Sequence, residues 1–177
     1  MFNRKRLFIP AASILAAFLG VSVANAQGPS CPYTLTSLQG SYAVIGNYGA
    51  NLAIALGTRS YDGNGNLSGT YIVNEPTAGS TTGARTIATG TQAGTYTVNC
   101  NGTGQFHRIL TQANGTVTTG VDDFIITAAV RILGASGYVM LATTIVDAQE
   151  TPSAIIPGGI FLTRTHTRLP DVNFVGY

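Results

Sequence analysis

Past an apolar opening stretch, short apolar and β-branched runs alternate with clusters of Gly, Asn, Asp and Pro. No segment after that opening repeats apolar residues at the i, i+3, i+4 spacing of an amphipathic helix. This pattern predicts strands joined by turns. The predicted strands cover residues 40–46, 52–61, 67–74, 85–99, 103–112, 121–130, 138–146 and 159–167. Asp62-Gly63-Asn64-Gly65-Asn66 is a hairpin signal, because these residue types tolerate positive φ. Asn101-Gly102 and Asn114-Gly115 mark turns for the same reason. Gly90 and Gly94 fall inside the long fourth run, where glycine is expected to bend a strand.

Side chains two apart in a strand share a face. The echo Gly-[Ser/Thr]-Tyr-x-Val begins at Gly40, Gly69 and Gly94, so Tyr42, Tyr71 and Tyr96 are expected to line one side of the sheet with Val44, Val73 and Val98. The sixth run places Phe124, Ile126, Ala128 and Val130 on one face, opposite Asp123 and Thr127. Eight sequential strands with short turns predict an all-β fold, an eight-stranded antiparallel up-and-down barrel, with a two-layer sandwich as the alternative.

The opening stretch sets the expected compartment. Arg4, Lys5 and Arg6 precede an apolar run, and Ala24-Asn25-Ala26 supplies the small residues of a cleavage site before Gln27. That is the pattern of a secretory signal peptide cut between Ala26 and Gln27. An uncleaved anchor fits less well, since a bilayer core needs about 20 apolar residues. The expected organisation is a leader at 1–26, a lead-in at 27–38, a barrel at 39–168 and a tail at 169–177. The product would be secreted or periplasmic.

Removing the leader changes the charge. The whole chain carries +2, but residues 27–177 hold six arginines, seven acidic residues and no lysine, a balance of −1. No basic field remains to attract nucleic acid. Schiff-base chemistry has no lysine to use. Cys31 and Cys100 are the two cysteines, and in an oxidising compartment they are expected to form a disulfide. Such a crosslink stabilises by roughly 4 kcal/mol in the chain-entropy model.

Catalytic and metal constellations do not emerge. Asp62, Asn64 and Asn66 have the opening spacing of a calcium loop, but Leu67 and Val73 stand where its Gly and Glu belong. His107 and Arg108 point to opposite faces, as do Asp122 and Asp123. The two histidines lack zinc-ligand spacing, and no cofactor motif is present. Arg164 and His166 share a face with Ile160, Leu162 and Arg168. Facing inward, Arg164 and His166 would hold an anionic head group while the apolar neighbours hold its tail. The alternative is a solvated outer stripe, or an Arg paired with Asp122 or Asp123.

At residues 61–74 (YDGNGNLSGTYIVN), 90–104 (GTQAGTYTVNCNGTG) and 38–42 (LQGSY) the chain resembles exported bacterial proteins with lipocalin-like or calycin-like barrels of unassigned function. The resemblance places Cys31 and Cys100 at that group's paired cysteines. The segment LSGTY at 67–71, with the later GTY at 94–96, also looks like strands of streptavidin. That family stacks biotin on tryptophan and this chain has no Trp, so biotin binding is not implied.

Three readings of function follow. The leading one is a non-enzymatic barrel that binds a small apolar or amphipathic ligand in its mouth. The alternative is an eight-stranded integral outer-membrane barrel. The third is an isomerase- or cyclase-type enzyme acting in the barrel mouth. The sequence leaves the ligand, membrane association and oligomeric state open.

Overall fold

Strict alternation of inward and outward side chains makes eight strands, and these wrap into one closed sheet. They are β1 (Gln39–Asn47), β2 (Ile54–Asp62), β3 (Asn66–Pro76), β4 (Arg85–Val98), β5 (Thr103–Gln112), β6 (Val117–Gly134), β7 (Gly137–Gln149) and β8 (Thr163–Arg168). The computed structural model describes residues 31–47, 53–134, 137–152 and 161–170. The leader, its cleavage point between Ala26 and Gln27, Ile160, and the tail from 171 onward lie outside the described residues.

Every neighbouring pair is antiparallel, and β1 pairs with β8 from Tyr42↔Arg168 to Ile45↔Thr165. That last pairing closes the up-and-down barrel and excludes the two-layer sandwich. The β2–β3 turn is built as its composition predicts. Asp62 Oδ1 accepts from the backbone N–H of Asn64 and Asn66, and Gly63 and Gly65 take positive φ.

One expectation is refined and one is corrected. First, β4 carries no bulge at Gly90 or Gly94; its register with β3 and β5 runs unbroken. Its inward glycines provide room for neighbouring side chains. A Cβ at Gly90 would strike the Tyr71 ring, and one at Gly104 of β5 would strike Phe124. Bulky inward side chains thus lie over glycines of the neighbouring strand. Second, Ala128 and Val130 do not continue the Phe124–Ile126 face. Phe124 and Ile126 are buried, whereas Ala128 and Val130 are exposed. The register shifts between Ile126 and Ala129, where Thr127 and Thr143 drop out of the ladder, and such an irregularity reverses the parity beyond it.

One end of the barrel is closed by aromatic packing. Tyr42, Tyr61, Tyr96, Phe106 and Phe124 fill it with Leu38, Leu67, Ile126 and Ile145. Phe106 stacks on Phe124 at 4.3 Å and on Tyr61 at 5.5 Å. The lead-in covers this end. Its 3-10 turn (Leu35–Ser37) is held by Tyr96, whose hydroxyl donates to the carbonyls of Leu35 and Leu38. The disulfide Cys31–Cys100 pins the same segment to the β4–β5 turn, with Cα atoms 4.7 Å apart.

Candidate functional site

Following the inward positions from the closed end gives three levels. Tyr61 on β2 is followed by Arg59, Phe106 on β5 by Arg108, Phe124 on β6 by Asp122, and Ile145 on β7 by Asp147. From the other direction, Leu162 leads to Arg164 and His166 on β8. Each charge stands two residues from an inward apolar group, so strand periodicity alone carries it inside. Beyond this charged level lies a third, of Val44, Tyr71, Val73, Leu110 and Leu162.

The charged level is withdrawn from water: Arg59, Asp122, Asp147 and His166 are each at most 1% exposed. Such burial is tolerated only with partners. Arg108 donates from Nε and Nη2 to the two oxygens of Asp122. Arg164 reaches Asp122 Oδ1 at 2.6 Å and Asp147 Oδ1 at 2.9 Å, bridging the two carboxylates. Asp147 Oδ2 lies 2.8 Å from His166 Nε2, and the His166 Nδ1 lies 2.8 Å from the Tyr61 hydroxyl.

Electrostatics fix the protons in that chain. Burial raises the Asp147 carboxyl, but Arg164, the His166 hydrogen bond and Arg59 outweigh it and hold the group below the ordinary carboxylate range. Burial, and then Arg59, push His166 down to about 4 against the pull of Asp147. At neutral pH the imidazole is therefore uncharged. Ionised Asp147 can only accept, so Nε2 carries the hydrogen and Nδ1 accepts from Tyr61. Burial lowers Arg108 to about 10, with Arg164 and Arg59 adding to the effect, so it stays charged at neutral pH.

Between the charged and the apolar levels lies a cavity of about 50 Å³. Arg59, Gln92, Arg108 and Arg164 line one side, and Val44, Val73, Leu110 and Leu162 the other. Tyr71 also lines it. The cavity lies toward the end that carries the β1–β2, β3–β4, β5–β6 and β7–β8 connections.

Arg164 and His166 both face inward, but their surroundings differ. Arg164 lines the cavity and pairs with Asp122, one of the two acids expected to pair with an Arg, as well as with Asp147. His166 sits one step deeper, 0% exposed and stacked 5.6 Å from Phe106, and it does not line the cavity. Arg168 lies at the closed end, over the Tyr42 ring at 5.9 Å, and donates to the Gln39 carbonyl. His107 and Asp123 are exposed while Arg108 and Asp122 are buried, as strand parity requires. Among the described residues no cluster of His, Cys, Asp and Glu could hold a metal ion.

Arg59, Gln92, Asp147 and Tyr61 carry the site and were not singled out from the sequence. The signal was present: Arg59 is two residues from Tyr61, and Gln92 is four from Tyr96, the inward tyrosine of the third echo. Comparison with protein-family models, curated proteins and solved structures returns no match.

Proposed function

We propose that this protein is an exported, non-enzymatic barrel that holds one small amphipathic ligand in the cavity above its charged level. The observation carrying this reading is the two-sided lining. Arg59, Arg108 and Arg164 face Val44, Val73, Leu110 and Leu162 across a space of about 50 Å³. A mostly apolar concavity with a few convergent polar groups is the usual form of a ligand site. Its size favours a ligand of a few non-hydrogen atoms over a long lipid. The lipocalin-like resemblance is consistent with a barrel-mouth site. Export is supported by the leader pattern and by the Cys31–Cys100 disulfide.

The binding reading is preferred to an enzyme because the Tyr61–His166–Asp147 chain is sealed. His166 and Asp147 are at most 1% exposed, and neither lines the cavity. A general base must reach the proton it removes. A second reading, the membrane-spanning barrel, draws on one observation: Ile45, Leu56 and Ile72 are exposed and adjacent across β1, β2 and β3. The next outward rows are hydroxylic, Thr58–Thr70–Thr91–Thr111 and Ser41–Ser60–Ser68, which suits water better than hydrocarbon. Among the described residues no helix is long and apolar enough to cross a membrane, which says nothing about strands.

The test is a titration of purified protein with short and long amphiphiles, read by backbone amide NMR shifts. Saturable shifts at Val44, Tyr71, Val73 and Leu110 with short amphiphiles alone are expected. Unchanged spectra with every compound would remove the ligand reading. Fractionation checks export, with a mature mass beginning at Gln27 as the expected result. Dependence on detergent for solubility would favour the membrane barrel.

A further inference from the structure

Within the charged level the charges do not balance. Arg59, Arg108 and Arg164 face Asp122 and Asp147, and His166 is neutral, which leaves one positive charge in excess there; Glu75, the other buried acid among the described residues, lies farther along β3. The geometry locates that excess. Arg108 holds both oxygens of Asp122, and Arg164 bridges Asp122 and Asp147. Arg59, 1% exposed, donates only from Nη2, to the neutral amide oxygen of Gln92 at 3.0 Å. Its Nη1 is 3.6 Å from Asp147 Oδ2, an oxygen already engaged by His166. Its Nε and Nη1 have no hydrogen-bond acceptor among the described residues. The Tyr71 hydroxyl, on a residue 8% exposed, is also without a partner among the described residues. Both residues line the cavity.

A guanidinium taken from water and left short of acceptors is costly. The fold retains one beside an unsatisfied phenol, at the floor of a space with apolar walls. Resting on the ligand reading above, we infer that the cavity is a site for a short-chain monocarboxylate, held by Arg59 and Tyr71 with its alkyl part against Val44, Val73, Leu110 and Leu162. One negative charge cancels the excess. The cavity, about 50 Å³, is small for a ligand site, which favours a short chain over a long one. Sulfate or phosphate would set charged oxygens against valine and leucine walls and leave them unpaired. Glu75, whose Oε2 is also unpartnered, does not line the cavity and has the wrong sign to serve an anion. It lies six positions along β3 from Gly69, the partner of Arg59, about 20 Å at the rise of a strand.

Calorimetric titration of the full protein at pH 7 and constant ionic strength, with propionate, butyrate, propionamide, butanol and sodium sulfate, tests the inference. Propionate and butyrate should bind with Kd between micromolar and millimolar, as the small number of ligand atoms allows. Propionamide should bind about 30-fold more weakly, the cost of losing charge-assisted hydrogen bonds. Arg59→Met should weaken butyrate at least tenfold, and Tyr71→Phe several-fold; the latter keeps the test open if Arg59→Met fails to fold. Propionamide or butanol binding as tightly as propionate would overturn the carboxylate inference and leave the small-ligand reading standing. Sulfate binding as tightly as propionate would overturn the assignment of a monocarboxylate. Absence of heat or thermal stabilisation with all five probes would remove both readings.

Discussion

The two ends of the barrel interior are built from the same motif and finished differently. Tyr42, Tyr71 and Tyr96 occupy the same place in the Gly-[Ser/Thr]-Tyr-x-Val echo, and all three are buried. At the closed end Tyr42 donates to the Ala142 carbonyl at 2.6 Å and Tyr96 to the Leu38 carbonyl at 2.8 Å. Toward the cavity, Tyr71 has no acceptor. The buried side-chain atoms without partners among the described residues are Arg59 Nε, Arg59 Nη1, Tyr71 Oη and Glu75 Oε2, all on the cavity side of the aromatic floor. Polar satisfaction is therefore concentrated where the structure must hold, and relaxed where a ligand can complete it.

The sharpest way to break this contrast is at Asp122, which accepts from Arg108 and Arg164 together. Asp122→Ala strips Arg108 of its carboxylate and leaves Arg164 with Asp147 alone, and should destabilise by about 3–5 kcal/mol in urea denaturation. Breaking the cover of the closed end through Cys31→Ser with Cys100→Ser should cost about 2–5 kcal/mol by the same measurement.

The third test uses pH. His166 has an ordinary pKa near 6.5 when unfolded and about 4 when folded. Between those values the unfolded state binds the extra proton, so stability rises with pH across that window and is lost as pH falls through it. The change is about 3 kcal/mol. Below the window Asp147 adds to the loss, because its depressed folded pKa makes the unfolded chain the better proton acceptor. Denaturation midpoints measured from pH 7 to 4 should show this slope, and His166→Gln should flatten it. The smallest effect compares two tyrosines. Tyr96→Phe should cost about 1 kcal/mol through its lost hydrogen bonds, whereas Tyr71→Phe should be neutral or slightly stabilising without ligand. Equal costs for the two would erase the distinction between the ends.

Strand number, antiparallel order and the inward set of tyrosines were legible because they depend on period-two alternation and on turn residues. The sixth and seventh strands were read short, at 121–130 and 138–146, against Val117–Gly134 and Gly137–Gln149. The irregularity at Thr127 and Thr143 carries no glycine or proline to announce it, so Ala128 and Val130 were given the wrong face. The glycines of β4 were recognised as meaningful, but their packing role was not legible, since a single strand does not reveal which bulky neighbour lies across it. The charged level was legible only in part. Parity placed Arg164 and His166 together, and pairing of an Arg with Asp122 or Asp123 was among the alternatives. The convergence of Arg59, Asp147 and Tyr61 depends on closure of the sheet, which joins residues more than eighty positions apart.

β8 is the shortest strand, pairing with β1 over the four positions from Tyr42 to Ile45 and with β7 from Thr144 to Ala148. It is also the strand that delivers Arg164 and His166 to Asp122 and Asp147. Asp122 already has Arg108 of the adjacent strand, but sewing the seam and giving Asp147 its close partners are a single event. A chain emerging from its N-terminus cannot settle its internal charge until its last strand has arrived, so amide protection at β1 and β7 along this join should appear together and late during refolding.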